Sequence, residues 1–223
     1  MSSRRIVITG LGALCPLGLN VGEAWAAAVA GRSGIGPITR FDAGAFRTRI
    51  AAEVKDYDAK AYFSARDARR LDPFIQYAIV AAREAIADAG LTADGIGDRG
   101  AVITGSGIGG IQTNSEQTVE LHDRGPSRIS PFLIPMILTD MAAGMIAMEV
   151  GFKGPNMSVS SACASAANAI GEASEMLRRG AADVAICGGS EAAVVPIAVA
   201  GFSAMRAISE RNDAPECACR PFD

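Results

Sequence analysis

The chain has 223 residues, 49% of them hydrophobic, with 25 glycines and few aromatics; this is enough length and apolar content for a sizeable α/β core and too much for a disordered segment. Its 21 basic and 24 acidic residues leave a formal charge of −3 with no polybasic character, so nucleic acid is not an expected partner. The longest apolar stretch, Ala192 to Phe202, is interrupted by Pro196 and too short to span a bilayer, and Met1 to Gly12 holds no apolar region of signal-peptide length, so no membrane insertion is expected.

In chain order, the β-branched run Arg5 to Thr9 predicts a strand that ends in Gly10-Leu11-Gly12, and Glu23 to Val29 predicts an alanine-rich helix around Trp25. Gly31 to Pro37 reads as loop, and the irregular segment that follows to Ser64 has no sustained period and reads as a surface excursion. Arg66 to Ala89 is the longest helical region, with Pro73 starting or kinking a helix, an apolar face of Ile75, Ile79, Ala82 and Ile86, and Gly90 as the stop. A strand at Ala101 to Thr104 and a turn at Gly105 to Gly110 come next, then a polar, partly helical Gln112 to His122. Pro126 to Pro135 reads as extended loop and Met136 to Val150 as an apolar helix. Met157 to Ser161 predicts a strand. The residues after Cys163 set Ala166, Ala169, Ile170, Ala173, Met176 and Leu177 on one helical face, closed by Arg178, Arg179 and Gly180. Asp183 to Cys187 begins another strand, so the unit is βαβ with Cys163 at the mouth of the helix. VITGLG from Val7 and VITGSG from Val102 are near copies, which predicts two strands entering similar packed layers.

Cys163 is the residue with chemistry in this pattern. A thiolate is the nucleophile, and a helix N-terminus favours the anion by about 0.3–1 kcal/mol, enough to enrich the thiolate without fully ionising it. The same N–H groups suit an oxyanion. The local pattern fits a small core cysteine among alanines equally well. Gly105 to Gly110 satisfies G-x-G-x-x-G after a strand but lacks the acidic residue about 20 positions on that a dinucleotide site needs. The single histidine, His122, lies in a polar run and reads as solvent-exposed, Cys217-Ala218-Cys219 has no third metal ligand nearby, and no G-x-S-x-G elbow is present. No metal is assigned. Five cysteines without a disulfide-framework spacing suit a reducing cytosol, so a cytoplasmic location is expected.

The run SSACAS from Ser160, the alanine-rich helix after it and CGGSEA from Cys187 resemble the nucleophile region of the β-ketoacyl-acyl carrier protein synthases, most closely those of the KAS II kind. The resemblance runs the length of the chain through RRIVITGLGALCPLG, RLDPFIQYAIVAAREAIADAGL, GSGIGG, RISPFLIPM, GFSAMRAIS and CRPFD. It implies an α/β fold, the N-terminal half of a thiolase-like layered α/β/α architecture, with residues 1–223 as one domain cut short at Asp223. It also implies that Cys163 accepts an acyl group as a thioester, which is then condensed with malonyl-acyl carrier protein after decarboxylation.

By the same resemblance Ile108 gates the acyl pocket, Phe202 lies next to the nucleophile, and Phe132, Leu133 and Ile134 belong to a loop at a homodimer interface that shapes the partner's pocket. Arg66, Arg69, Arg70 and Arg206 would dock the acidic acyl carrier protein, with Arg69 and Arg206 foremost. No cofactor is implied. Family chains are about twice as long, and the two histidines, the lysine and the second oxyanion donor of their second half have no counterpart here. Rival readings are the ketosynthase subunit of an aromatic polyketide pathway, a noncatalytic chain-length factor, which would lack the nucleophilic cysteine, and an inactive fragment.

Overall fold

The structure, a computed structural model, describes residues 4–92 and 95–222, so Met1 and the final motif residue Asp223 lie outside the described residues. Its helices are α1 (Val21–Val29), α2 (Ala65–Ala68), α3 (Pro73–Asp88), α4 (Ile111–Arg124), α5 (Leu133–Ile137), α6 (Met141–Val150), α7 (Ser165–Arg178) and α8 (Pro196–Ala204). Its strands are β1 (Ile35–Pro37), β2 (Ile50–Ala52), β3 (Gly100–Gly105), β4 (Asn156–Val159) and β5 (Val184–Gly189). The chain divides into two units: Met1–Gly12 with Ala59–Ala192, and Ala13–Asp58 with Ala193–Asp223.

In the first unit the three strands form a parallel sheet in the order β4-β3-β5. β3 is buried along its whole length, and its alternating side chains feed two different cores. Ala101 and Ile103 pack with Ala169, Ala173 and Met176 of α7 on one face. Val102 packs on the other face with Phe74, Ile75 and Ile79 of α3 and Ala142, Ala143 and Ile146 of α6. The result is helix, sheet, helix. Burying a continuous apolar strand on both faces is what a parallel sheet requires.

Helix α3 begins where Pro73 dictates, at its first turn, because proline lacks the N–H that is unsatisfied there anyway. Asp72 is its N-cap and is fully buried. Its carboxylate accepts from the Phe74 N–H at 3.2 Å and from the Thr113 N–H and Oγ1 at 3.0 and 2.7 Å, so one side chain fastens the starts of α3 and α4 together. Burial pushes the Asp72 carboxyl above its ordinary value, against the lowering effect of the Thr113 hydrogen bonds. Further along, Arg83 of α3 pairs with Glu149 of α6 and donates to the Tyr62 carbonyl, with its guanidinium 4.9 Å from the centre of the Phe63 ring.

Several sequence expectations are corrected here. Arg5 to Thr9 forms no strand: Val7 and Ile8 are exposed and the segment makes no ladder. It is instead tied by its ends. Arg4 donates to the Asp183 carboxylate and the Leu177 carbonyl, the Leu11 N–H donates to Asp88, and Gly10 and Gly12 lie against the Ala85 and Ala81 carbonyls, where a Cβ would come within about 2 Å. β-Branched residues express strand propensity only against a partner strand, and this run has none among the described residues. Of the two near-copy segments, only the one at Val102 enters a packed layer as a strand.

The helical region from Arg66 is two helices, separated at Arg69 to Asp72. Helix α4 is helical throughout. Residues Leu133 to Pro135 are helical rather than extended, and the apolar helix expected over Met136 to Val150 is broken between α5 and α6. On α7 the buried stripe is Ser165, Ala169, Ala173 and Met176, at four- and three-residue steps; Ile170 falls beside that stripe and is exposed.

In the second unit the segment read as loop and surface excursion contains an antiparallel pair, with Ile35 opposite Ala52 and Pro37 opposite Ile50. Ile38, Ala43 and Val199 form its small core, with Phe41, Phe46, Ala51 and Ile208 packed around them. The Thr48 hydroxyl donates to the Ser209 carbonyl, the Arg49 N–H to Asn212 and the Asn212 amide to the Arg47 carbonyl, joining the unit's two chain segments. Glu53 is almost fully buried, yet satisfied: its carboxylate accepts from the Thr39 N–H and hydroxyl and the Arg40 N–H. The Asn20 side chain caps α1 by accepting from the Glu23 N–H, and Glu23 in turn accepts from the Leu19 N–H, one residue before the cap. No described helix is long and apolar enough to cross a membrane.

Candidate active site

The three parallel strands end side by side, with Gly105 of β3 in register with Val159 of β4 and Gly189 of β5. Ligands of open α/β sheets bind beyond the carboxyl ends of the strands. Here that end gathers three connections: Ser106 to Gly110, Ser160 to Ala164, and Ser190 with Glu191.

Cys163 sits in the second of these, in the middle of a 3₁₀ turn, Ala162–Ala164, that runs directly into α7. It is exposed, so it packs in no core of the described residues. Two features of the sequence produce this placement. Gly105 and Gly189 let the first turn of α7 rest on the sheet, since a Cβ at Gly105 would lie 2.4 Å from the Ser165 carbonyl and one at Gly189 would lie 2.4 Å from the Ala166 Cβ. Ser165, almost fully buried, then accepts from the Ser161 N–H at 2.9 Å and donates to the Ala162 carbonyl at 2.7 Å, and Asn168 donates to the Ser161 hydroxyl. Ala162 is held at φ 52°, a left-handed conformation that costs a non-glycine residue roughly 1–2 kcal/mol. That reversal turns the chain outward at the next residue, Cys163.

The donors at the helix mouth are fewer than expected. The tight 3₁₀ entry commits the Ala164 N–H to the Ser161 carbonyl and the Ser165 N–H to the Ala162 carbonyl. Among the described residues the Cys163 N–H donates to no partner. Cys187 differs from Cys163: it lies on β5 opposite Ile103, and although its residue is exposed, burial around the sulfur pushes its thiol above the ordinary value.

The Ser106 to Gly110 turn forms the facing wall, with Ile108 projecting from it 41% exposed. Glu191 accepts from the Gly107 N–H at 2.8 Å, the Ile108 N–H at 3.2 Å and the Ser106 hydroxyl at 3.2 Å. The Gly109 N–H donates to the Ser106 hydroxyl at 3.0 Å. Behind the turn, the Gly110 N–H donates to the Ile137 carbonyl, so α5, which carries Leu133 and Ile134, packs against the same turn. Ile134 is 58% exposed and Leu133 half-buried. The guanidinium of Arg70 lies 4.3 Å from the centre of the Phe132 ring, next to α5 in sequence. Arg66 and Arg69 are exposed. His122, in the last turn of α4, is exposed as expected.

Phe202 and Arg206 belong to the second unit. Phe202 lines an apolar groove of about 600 Å³ with Ile50, Ala51, Val199 and Ile208, and Arg206 follows α8 at φ 56°. The sequence reading did not single out Ser106, Ser165, Asp72 or Glu191. Glu191 stood inside the quoted CGGSEA run without a role, and only its distance to a turn over 80 residues earlier reveals one.

The family model described as beta-ketoacyl synthase, N-terminal domain, matches residues 3–223. A 3-oxoacyl-acyl-carrier-protein synthase 2 from Synechocystis sp. is 46% identical over 224 residues, covering 100% of this chain and 54% of that protein. Among solved structures, a beta-ketoacyl synthase from Burkholderia phymatum superposes with a TM-score of 0.86 at 31% identity, over 99% of this chain and 54% of that one. The ishigamide ketosynthase/chain length factor gives a TM-score of 0.83 at 35% identity, over 92% of this chain and 51% of that one. The chain thus spans about half the length of the curated relatives it matches, and the helix, sheet, helix layering of its first unit is the thiolase-like layering expected of an N-terminal ketosynthase half.

Proposed function

Because the chain belongs to the beta-ketoacyl synthase N-terminal domain family, we propose that it is the acyl-accepting part of a 3-oxoacyl-acyl carrier protein synthase of fatty-acid elongation. The observation that carries this reading is Cys163, exposed at the carboxyl end of a parallel sheet on a turn held by Ser165 and by a left-handed Ala162. In the first half-reaction the Cys163 thiolate attacks the thioester carbonyl of an acyl carrier protein. An S–C bond forms to the acyl group, the carrier's S–C bond breaks, and the departing thiolate takes up a proton. The Cys163 N–H, uncommitted to another group, is placed on the same residue as the attacking sulfur and suits one oxyanion contact. Ile108 is proposed to gate the acyl chain's path, Leu133 and Ile134 to shape the acyl pocket of a homodimer partner, and Phe202, in the second unit, to bind substrate. Arg66, Arg69, Arg70 and Arg206 are proposed to meet the acidic carrier.

Condensation with malonyl-acyl carrier protein needs groups that stabilise an enolate. The single histidine, His122, is exposed on α4. The residues assigned to that step by family resemblance would therefore come from the remaining half of a longer protein, of which residues 1–223 form the N-terminal domain. A homodimer whose interface takes in Phe132, Leu133 and Ile134 is proposed, which would give the exposed Ile134 a partner. The free cysteines and the lack of a described membrane-crossing helix are in keeping with a cytoplasmic enzyme. The polyketide reading draws support from the ishigamide ketosynthase, but at 35% identity against 46% for the fatty-acid relative it stands second.

Incubation with an acyl-acyl carrier protein, followed by mass spectrometry of the tryptic peptide around Cys163, tests the proposal. An acyl adduct on Cys163 that disappears in Cys163→Ala is expected. The chain by itself is expected to give no β-ketoacyl product, since losing acid–base groups costs about 10²–10⁴ in rate. An adduct on another cysteine, or none at any carrier concentration, would refute the acyl-accepting role.

A further inference from the structure

We propose that Glu191 is a positioning residue for the nucleophile: it clamps the Ser106 to Gly110 turn against Ala162, and so fixes both the wall of the acyl site and the strained residue that presents Cys163. The inference rests on the acyl-accepting role of Cys163 proposed above.

The geometry is specific about which atoms are held. One oxygen, Oε2, accepts from the N–H groups of two consecutive residues, Gly107 and Ile108, and the other, Oε1, accepts from the Ser106 hydroxyl. Ser106 in turn accepts the Gly109 N–H, so three successive backbone donors are fastened by two side chains. Ser106 is nearly fully buried. On the far side, the Ser190 N–H donates to the Gly105 carbonyl and the Ser190 hydroxyl to the Phe74 carbonyl, which anchors Glu191's own backbone to β3 and α3.

Gly107 transmits the clamp. A Cβ built there would lie 3.0 Å from Glu191 Oε2 and 3.5 Å from both the Cα and the carbonyl oxygen of Ala162. The carboxylate and Ala162, which has positive φ, thus both border the Cβ side of Gly107, and holding Gly107 fixes the space beside Ala162. Releasing the carboxylate frees Gly107 to move, and with it the space beside Ala162 that the fixed turn defines. A displacement of about 1 Å in a reacting group can cost around 10²-fold in rate.

Three substitutions separate hydrogen bonding from charge and from bulk. Glu191→Gln keeps a carbonyl oxygen that can accept from both N–H groups, and offers an amide to Ser106. Glu191→Asp keeps the charge but withdraws it beyond reach, and Glu191→Ala removes both. Backbone amide exchange at Gly107 and Ile108 is expected to accelerate about tenfold or more in the Asp and Ala variants and to stay near wild type in Gln. Acylation of Cys163 from acyl carrier protein should fall about tenfold or more in Asp and Ala, with Gln within about threefold of wild type. Iodoacetamide alkylation of Cys163 should shift threefold or more in the same two variants.

Unchanged amide exchange in Asp would overturn the clamp, and faster exchange with unchanged Cys163 reactivity would overturn its positioning role. Loss in Gln equal to that in Asp would show that an acceptor kept at the same reach does not preserve the clamp, which also overturns it. Should Ala not fold, the Asp and Gln pair decides alone. If even the wild type takes no acyl group, the acyl-transfer reading falls, while exchange and alkylation still decide the clamp.

Discussion

Cys163 and Cys187 are both exposed as residues, but Cys163 stands on the turn that enters α7 and Cys187 on strand β5. Desolvation holds the Cys187 thiol above its ordinary pKa, so its thiolate fraction near neutrality is the smaller for it. Brief iodoacetamide treatment and peptide mapping should find Cys163 modified first, with Cys187 catching up as pH rises; first labelling of Cys187 or Cys15 would contradict the nucleophile assignment. Asp72 makes a second prediction. Its folded pKa is raised above the unfolded 3.8, so the folded state binds this proton more tightly. The resulting stabilisation is complete below 3.8 and is lost as pH climbs through the folded value. Asp72→Ala leaves the Phe74 and Thr113 donors unpaired in the core and should cost about 2–4 kcal/mol. That cost should be greatest in acid and smaller at pH 7, as read by urea unfolding at both pH values.

At the level of elements, the residues that punctuate the chain were legible: Pro73 started α3, and Gly90 and Gly180, both at positive φ, followed the ends of α3 and α7. The placement of Cys163 was legible for a similar reason, between a strand and a helix whose patterns are local, whereas its role came from the family resemblance. What local pattern missed depends on remote partners. The β1–β2 pair is three residues a side and interrupted by Gly36 and Pro37, so no periodicity marks it. Arg5 to Thr9 has the composition of a strand and lacks the neighbour that would make it one. The Glu191 clamp, likewise, joins residues that only the parallel sheet brings together. Glycines separate by role in the same way. Gly105→Ala would drive a Cβ to 2.4 Å from the α7 backbone and should destabilise by about 1–3 kcal/mol. Gly171→Ala, on the exposed side of α7 with nothing within 4 Å, should stabilise by about 0.5–1 kcal/mol. Thermal unfolding of the two variants checks the contrast, and equal effects would mean that α7 does not lie on the sheet as described.

For the molecule as a whole, the proposed docking of an acidic carrier to a chain of net charge −3 rests on a local basic surface. Charge reversal at Arg69 or at Arg206 should each slow acylation from the carrier protein and leave acylation from a small thioester intact. The difference should shrink with added salt, since exposed charges are screened over about 10 Å at 0.1 M. Equal loss with both donors would indicate misfolding rather than lost docking. The division into two units also has a temporal side. The chain leaves the first unit at Ala13 and re-enters it at Ala59, and the second unit is finished only by residues from Ala193 onward. The hydrogen bonds that join Thr48, Arg49 and Arg47 to Ser209 and Asn212 span 161 to 165 residues. At roughly 5–20 residues per second of synthesis, the β1–β2 pair waits on the order of 10–30 s for its partners to emerge. Through that interval Ile38, Phe41 and Phe46 have no Val199 or Ile208 to cover them, so the nascent chain is most exposed to aggregation and to chaperone capture while its first unit is already being assembled.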